Sequence, residues 1–238
     1  MKKFLVIGNP IEHSLSPKLH NYWIKKNNIN AIYEKQKLNE NEIEDLILKV
    51  KKKKLNGINV TVPFKKTVIP YLDQLSSEAE ITQSVNTIYL DNDIVIGHNT
   101  DISGFELGIK NSKFKVAGKK IFILGAGGVV PSIIFALKKM NASGIVVSNR
   151  TKSKAESLKI LFENLKIIDW GDVPEFDMII NATSVGLNKD SQINLDFSKI
   201  GKDKFFYDVI YNPEETNFLK IGKKMGNETE NGKLMFIY

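Results

Sequence analysis

A sequence of 238 residues that is 42% hydrophobic and 26% charged is long and apolar enough to form one large or two ordinary globular domains. The absence of cysteine excludes disulfides, thiolate metal sites and a cysteine nucleophile, and it fits a reducing compartment. A net charge of +7 would suit nucleic acid, but the lysines lie in helix-like stretches such as residues 49–54, without an arginine-rich stripe, so we expect no nucleic-acid partner. No apolar run is long enough for a secretion signal or a membrane span, and we expect a cytoplasmic protein with no membrane partner.

Short strand-like and helix-like segments alternate in the first part of the chain. The residue pattern predicts strands at 4–7, 32–36, 57–60, 87–90 and 94–97 and helices at 17–27 and 43–53. The last two strands flank Asp91-Asn92-Asp93 and are typical of a hairpin. Asn39 and Glu42 have the spacing of a capping box ahead of the second helix.

Strand–helix–strand units follow one another more regularly in the second part. We predict strands at 120–124, 145–148, 165–168, 178–181 and 205–209, with helices through residue 140 and at 152–162. Repeated units of this kind indicate a parallel sheet covered by helices. The polar stretch 110–119 is a plausible joint between the two parts of the chain.

A glycine cluster, Gly125-Ala126-Gly127-Gly128, follows the buried strand 120–124 and opens a helix. Glycines at such a turn let the backbone approach a pyrophosphate, and the helix N-terminus offers unpaired N–H groups. The third position of the dinucleotide fingerprint is Val130 rather than glycine or alanine, and an ordinary strand–helix turn is the alternative interpretation. The strand before the cluster favours a dinucleotide site.

The end of the next strand predicts which dinucleotide is bound. An NAD site places a carboxylate there, whereas this strand ends in Asn149-Arg150-Thr151, with Lys154 shortly after. Arg150 could grip a 2′-phosphate through two N–H groups, and Thr151 and Lys154 add a donor and a charge. The alternative is that Asn149 caps the next helix and Arg150 is a solvated surface charge. The strand position favours NADP.

Four polar clusters in the first part have no evident folding role, and strand ends are the usual ligand sites of α/β folds. They are listed in chain order as Ser14-Leu15-Ser16-Pro17, Asn59-Val60-Thr61-Val62-Pro63-Phe64-Lys65, Asn86-Thr87 and Asn99-Thr100-Asp101. Paired hydroxyls at Ser14 and Ser16 could bind a carboxylate, although simple N-capping would need only one of them.

These segments together resemble the shikimate dehydrogenase family over nearly the whole chain. The resemblance also includes Gly8-Asn9-Pro10, His13, Val85, the glycine cluster, Asn149-Arg150-Thr151, Asn181-Ala182-Thr183-Ser184-Val185-Gly186 and Tyr211-Asn212-Pro213, all in the family's order. It implies an α/β fold with an N-terminal mixed, mostly parallel substrate domain and a C-terminal Rossmann domain that binds NADP, with the active-site cleft between them. We expect the first domain to span residues 1–101, with 219–238 packing back on it, and the Rossmann domain to span 102–218.

The resemblance further implies the reversible, NADPH-dependent reduction of 3-dehydroshikimate to shikimate by hydride transfer, a step toward chorismate and the aromatic amino acids. It assigns a catalytic pair to Lys65 and Asp101, and a carboxylate site to Ser14 and Ser16. The remaining substrate-binding residues that it implies are Asn59, Thr61, Asn86 and Tyr211. The cofactor-binding residues that it implies are Gly125, Ala126, Gly127, Gly128, Val129, Asn149, Arg150, Thr151 and Lys154, with Thr183, Val209 and Gly232 at the nicotinamide end.

The chemistry implied for Lys65 and Asp101 is sound by itself. Hydride addition to a ketone builds negative charge on its oxygen, so a nearby ammonium lowers the barrier, and a carboxylate can orient it or relay a proton. Which of the two transfers the proton stays open, because a close pair titrates as a unit. The alternatives are a surface lysine, as we expect for Lys66, and an N-cap at Asp101.

Two departures from the family pattern and two rival functions stay open. Val129-Val130-Pro131 is bulkier than the usual segment, and the family pattern continues after Tyr238 with a substrate-binding glutamine and further helix. The rivals are a quinate/shikimate dehydrogenase that uses NAD, which Arg150 disfavours, and a catalytically silent nucleotide-sensing relative. The scattered histidines (His13, His20 and His98) imply no metal, and we expect a monomer or homodimer acting on a small molecule.

Overall fold

The computed structural model describes residues 1–112, 114–188 and 191–238. The chain divides into two compact units, Met1–Thr100 and Asp101–Tyr238. In this described part of the chain, no helix has the length and apolar character needed to cross a membrane.

The first unit is built on a six-stranded mixed sheet. Its strands are β1 (Lys2–Gly8), β2 (Ala31–Lys37), β3 (Gly57–Val60), β4 (Gln74–Leu75), β5 (Thr87–Asp91) and β6 (Ile94–His98), in the spatial order β2-β1-β3-β5-β6-β4. Strands β1, β2 and β3 run parallel, whereas β5 lies antiparallel to both β3 and β6. The predicted hairpin and the mixed character of this domain are therefore confirmed.

Three helices accompany this sheet: α1 (Ser16–Lys26), α2 (Ile43–Lys51) and α3 (Ser77–Thr82). The predicted capping box is present, with Asn39 and Glu42 at a short 3₁₀ turn directly before α2. Helix α2 buries Leu46 and Val50 in the same apolar cluster as Leu5 and Ile58. Along their strands, Leu5 and Ile58 alternate with residues that face the opposite side of the sheet. The opposite sheet face carries Val6 and Tyr33 and packs with residues of the α1 side.

The second unit has a six-stranded sheet in which all strands are parallel. Its strands are β7 (Lys120–Leu124), β8 (Gly144–Ser148), β9 (Lys166–Ile168), β10 (Met178–Asn181), β11 (Phe205–Asp208) and β12 (Glu228–Asn231), in the order β9-β8-β7-β10-β11-β12. This is the 3-2-1-4-5-6 order of a Rossmann fold. The predicted α/β class and Rossmann topology are confirmed.

Helices cover both faces of this parallel sheet. They are α4 (Asp101–Asn111), α5 (Val130–Lys139), α6 (Lys152–Glu156), α7 (Asn217–Lys224) and α8 (Lys233–Ile237). Ile121 and Ile123 point into one apolar cluster and Phe122 and Leu124 into another, as expected for a strand that is buried on both sides. The helix predicted at 152–162 is shorter and passes into a 3₁₀ turn at Ser157–Ile160.

The last part of the chain packs within the second unit. Helix α7 contacts β11 and β12, and α8 lies against α4, where Gly104 and Gly108 permit the close approach of Met235. The expectation that residues 219–238 pack back on the first domain stays a prediction. The pattern of the β12 segment, Glu-Thr-Glu-Asn, is polar, so hydrophobic periodicity did not reveal that it extends the parallel sheet.

Candidate active site

The glycine turn after β7 combines one tightly packed glycine with one open glycine. Gly125 has φ +112°, and a β-carbon there would come within 2.8 Å of the Ala182 carbonyl oxygen. Gly127 is exposed, and a β-carbon on it would meet only open space. The backbone before α5 thus offers an uncovered cradle at a helix start, which fits a dinucleotide. Val130, at the departing fingerprint position, is fully buried in the core as the first residue of α5.

Arg150 lies at the end of β8 and pairs with no carboxylate among the described residues. Asn149 Nδ2 donates to the Thr151 carbonyl oxygen at 2.8 Å, which shapes the turn before α6. Thr151, and not Asn149, occupies the N-cap position of that helix, so the alternative role of Asn149 as the cap is wrong. Arg150 is exposed and makes no ion pair with any residue that the structure describes, whereas Lys152 pairs with Asp169 at 2.8 Å. Arg150 is therefore available to an anionic ligand.

A buried polar network joins the ends of β10 and β11. Asn181 Nδ2 donates to both oxygens of Asp208 at 3.1 Å, and Thr216 Oγ1 donates to the same carboxylate at 2.6 Å. The other end of the Asn181 amide accepts bonds from the Thr183 hydroxyl at 2.7 Å and the Thr183 N–H at 3.1 Å. Burial raises the pKa of Asp208 to about 6, because the low-polarity interior disfavours its charged form. The network fixes the loop that carries Thr183.

Val209 and Gly232, two of the residues predicted at the nicotinamide end, are in close contact with each other. Gly232 follows β12, and a β-carbon there would collide with the main-chain carbonyl of Val209. Only glycine permits this approach, so the loop after β11 and the start of α8 are fixed against each other. Tyr211, farther along the same loop, stacks on Phe236 of α8 with ring centroids 4.3 Å apart.

Two serines stand at the start of α1 in the first unit. Ser14 Oγ accepts a hydrogen bond from the Ser16 N–H at 3.3 Å, and Ser16 is the first residue of the helix. Leu15 occupies the N-cap position and makes no side-chain cap, so neither serine is the N-cap that the alternative interpretation required. Both side chains are half-buried.

Asn59 and Asn86 belong to one hydrogen-bonded network at the centre of the first sheet. Asn59 Nδ2 donates to the Asn86 carbonyl oxygen at 3.2 Å and to Thr87 Oγ1 at 3.1 Å. Asn86 Nδ2 donates to Thr100 Oγ1 at 2.8 Å, and its Oδ1 accepts the Thr100 N–H at 2.9 Å. Thr61 lies just beyond β3, and its N–H donates to the Ile7 carbonyl oxygen at 2.9 Å. Its methyl group leaves no room for a side chain at Gly8. The structure therefore brings these predicted ring-binding residues together.

Lys65 differs from its neighbour Lys66 as predicted. Lys65 is 9% exposed, whereas Lys66 is exposed to solvent. A buried lysine is unusual unless it has a partner or a function, and the main-chain carbonyl of Lys65 is fixed by the Val85 N–H at 2.8 Å. Asp101 is half-buried, follows Thr100 of the asparagine network in the chain, and is the first residue of α4. Within the described residues, no group of three or more acidic or histidine side chains could hold a metal ion.

Sequence reasoning missed two polar residues that support these networks. Tyr33 donates its hydroxyl proton to Asn59 Oδ1 at 2.6 Å, and Asp208 carries the network between β10 and β11. They are separated from their partners by 26 and 27 positions in the chain. Asp208 was signalled only as the polar end of an apolar strand, and Tyr33 is the one buried residue of a mostly polar strand.

Two family models match this chain. The family model described as the shikimate dehydrogenase substrate binding domain matches residues 6–88, and the model described as shikimate / quinate 5-dehydrogenase matches residues 108–206. The chain is 62% identical over 237 residues to the shikimate dehydrogenase (NADP(+)) of Pelagibacter ubique (strain HTCC1062), covering 100% of this chain and 89% of that protein.

Solved structures show the same fold. The shikimate dehydrogenase of Aquifex aeolicus is 36% identical with a TM-score of 0.91, and the match covers 99% of this chain and 88% of that one. The shikimate 5-dehydrogenase of Thermus thermophilus, solved in complex with NADP(H) and shikimate, is 29% identical with a TM-score of 0.89, covering 99% and 89% of the two chains.

Proposed function

Because the chain belongs to the shikimate dehydrogenase family, we propose that it catalyses the reversible, NADP-dependent reduction of 3-dehydroshikimate to shikimate by hydride transfer. It is an NADP-dependent oxidoreductase with a Rossmann domain. Its substrate is a small molecule, and a cytoplasmic location and a monomeric or homodimeric state remain predictions.

The choice of NADP over NAD rests on the residue type and the position of Arg150. It is the only arginine among the 34 basic side chains of Lys and Arg, in a sequence that uses lysine everywhere else. Lysine is a point charge, whereas the planar guanidinium donates two parallel N–H bonds that match a phosphate. Arg150 stands at the end of β8, is exposed and has no carboxylate partner in the described chain. A 2′-phosphate is the ligand that this position favours.

The rest of the cofactor site follows from the strand ends of the Rossmann sheet. The backbone from Gly125 to Val129, which is open at Gly127, would hold the pyrophosphate, and Asn149, Thr151 and Lys154 would accompany Arg150 at the ribose phosphate. Thr183, Val209 and Gly232 would line the nicotinamide end, because the Asn181–Asp208 network and the Gly232 contact hold their loops rigid. Rigid loops position a reacting ring without further ordering cost on binding.

The substrate half is proposed from residues of the first unit together with Tyr211 of the second unit. Ser14 and Ser16 would hold the ring carboxylate through their hydroxyl groups at the start of α1. Asn59, Thr61, Asn86 and Tyr211 would surround the ring and its hydroxyls. The network that fixes both asparagine amides supports this role, because a preorganised amide discriminates between hydroxyl and hydrogen.

Lys65 and Asp101 are proposed as the catalytic residues. When bound, the nicotinamide supplies or accepts the hydride. The Lys65 ammonium would hydrogen-bond the reacting oxygen, and its positive charge would stabilise the negative charge that develops there during reduction. Asp101 would orient the ammonium and the substrate hydroxyl, so that a proton moves between this pair and the oxygen in each direction of the reaction. The low exposure of Lys65 supports this role, since burial strengthens its field at the oxygen.

A two-by-two kinetic comparison tests the proposal. The kcat/KM values for shikimate and quinate would be measured with NADP and with NAD, following the absorbance of the reduced nicotinamide at alkaline pH. The proposed function predicts that shikimate with NADP gives the largest value. Faster turnover of quinate with NAD would replace it with the NAD-dependent quinate reaction, and binding of NADP without turnover of either acid would indicate a nucleotide-sensing protein.

A further inference from the structure

Tyr33, which is not one of the proposed substrate-binding residues, forms a hydrogen bond with one of them, Asn59. The Tyr33 hydroxyl donates to Asn59 Oδ1 at 2.6 Å. Strands β2 and β3 both flank β1, where Tyr33 is in register with Phe4 and Asn59 with Val6. Phe4 and Val6 are two residues apart and point to the same face of the sheet, so the Tyr33 side chain crosses β1 to reach Asn59.

Tyr33 is itself held at its backbone and its ring. Asn21 of α1 donates from Nδ2 to the Tyr33 carbonyl oxygen at 2.7 Å and accepts the Tyr33 N–H at 3.0 Å. The His20 ring stacks on the Tyr33 ring, with centroids 4.1 Å apart and planes within 3°. The tyrosine is only 4% exposed. Its hydroxyl therefore has a fixed position above the sheet.

The hydrogen bonds of Asn59 define which way its amide faces. Its Nδ2 lies 3.2 Å from the Asn86 main-chain carbonyl, a group that can only accept, and 3.1 Å from Thr87 Oγ1. The nitrogen must therefore point toward β5, and the oxygen must point toward Tyr33. Both N–H groups of Asn59 are used in these two bonds. A carbonyl oxygen has two lone pairs, and Tyr33 occupies one of them, so Oδ1 keeps one acceptor site for a ligand.

We propose that Tyr33 is a positioning residue that fixes Asn59 as a hydrogen-bond acceptor, and that this acceptor selects a ring hydroxyl of the substrate. The inference rests on the proposed function, in which Asn59 faces the ring. Because the two amide protons are committed inside the protein, Asn59 recognises a donor on the ligand and not an acceptor. A hydroxyl satisfies this demand, whereas an ether oxygen, a keto oxygen or a hydrogen at the same ring position does not.

The direct test is Tyr33→Phe, which removes one oxygen and keeps the ring that stacks on His20. We expect the KM for shikimate to rise about 5- to 10-fold, as for the loss of one hydrogen bond, while the KM for NADP stays within about twofold. Tyr22→Phe is the matched control, because Tyr22 is 58% exposed on α1 and its hydroxyl has no role in this network. It should leave both KM values unchanged. Thermal unfolding of each variant measures any loss of folded protein separately.

A double-mutant cycle separates positioning from a general structural role. In an Asn59→Ala background, Tyr33→Phe should cause no further rise in the KM for shikimate, because the group it acts on is absent. The same cycle applies to the substrate, with shikimate derivatives that each lack one non-reacting ring hydroxyl. Wild type and Tyr33→Phe should bind equally well the derivative that lacks the hydroxyl recognised by Asn59.

Three outcomes would overturn the inference. They are an unchanged KM for shikimate in Tyr33→Phe, a full effect of Tyr33→Phe in the Asn59→Ala background, and a full effect with every derivative. Failure of the proposed function can be distinguished from failure of this inference, because measurements on the wild-type protein are enough to reveal it. A wild-type protein that neither binds nor oxidises shikimate would overturn both the proposed function and this inference.

Discussion

The side-chain amide of Asn181 lies 3.1 Å from both carboxylate oxygens of Asp208, in a buried network that also contains the Thr216 hydroxyl and the Ile210 N–H. Burial raises the pKa of Asp208 from 3.8 to about 6. Between these two values the folded chain holds a proton that the unfolded chain has released. The contribution of Asp208 to stability is therefore greatest below pH 4 and declines as the pH rises toward 6.

Asp208→Asn makes this decline measurable. We expect the unfolding free energy of wild type, relative to the variant, to fall by about 2 kcal/mol between pH 4 and pH 7, measured by urea denaturation. Asp73→Asn is the control with the opposite sign. Hydrogen bonds from the Val95 N–H and Lys51 lower the pKa of Asp73, so its contribution is present at neutral pH and is lost as the pH falls. A pH-independent difference for Asp208→Asn would contradict the raised pKa.

Replacing Lys65 tests the proposed catalytic charge. Lys65→Ala should reduce kcat for shikimate oxidation by about 10²- to 10⁴-fold, because the charge on the reacting oxygen loses its stabilising partner. The Kd for NADP, measured by calorimetry, should change little. Lys66→Ala is the neighbouring control on an exposed lysine and should retain full activity. Turnover that survives Lys65→Ala would show that Lys65 is not catalytic.

Arg150 allows the geometry of phosphate binding to be separated from its charge. Arg150→Ala should raise the KM for NADP by about 10- to 100-fold and leave the weaker use of NAD unchanged. Arg150→Lys keeps the charge but loses the two parallel N–H bonds, so we expect an intermediate KM. Lys159→Ala, at an exposed lysine paired with Glu156, is the control for a general loss of positive charge. An equal rise for NADP and NAD in Arg150→Ala would exclude the 2′-phosphate as its partner.

Two glycines should respond to the same substitution in opposite ways. Gly127→Ala places a methyl group in open space, so the unfolding temperature should not change, while the affinity for NADP should fall because the methyl enters the cradle. Gly232→Ala places a methyl group against the Val209 carbonyl and should lower stability by at least about 2 kcal/mol. Thermal unfolding and NADP titration of both variants would check this contrast. A destabilised Gly127→Ala with normal NADP affinity would argue against the pyrophosphate cradle.

Much of the fold could be predicted because the core strands follow simple periodicities. The strand predicted at 120–124 agrees with β7 to the residue, and the hairpin around Asn92 differs from β5 and β6 only at their ends. Two of the strands that were missed have short or polar patterns. Strand β4 has two residues, and β12 has the sequence Glu-Thr-Glu-Asn, which only its pairing with β11 makes a strand.

Some features of the candidate site could be predicted from the sequence and others could not. Arg150 and the glycine turn could be predicted because their chemistry depends on position along a single strand–turn–helix unit. The support given by Tyr33 to Asn59 could not, because it requires the order of β2, β1 and β3 in space. The network of Asp208 likewise depends on the parallel pairing of β10 and β11. The roles of Ser14, Ser16, Lys65 and Asp101 toward the substrate stay predictions, as do those of Arg150 and the glycine turn toward NADP.

A crystal structure of the protein with NADP⁺ and shikimate bound is the most direct test of the account. We predict that the Lys65 Nζ and the Asp101 carboxylate each lie within about 3.2 Å of the same shikimate hydroxyl, and that the Arg150 guanidinium contacts the 2′-phosphate. A complex in which Lys65 makes no contact with the reacting hydroxyl, or in which the 2′-phosphate lies away from Arg150, would contradict it.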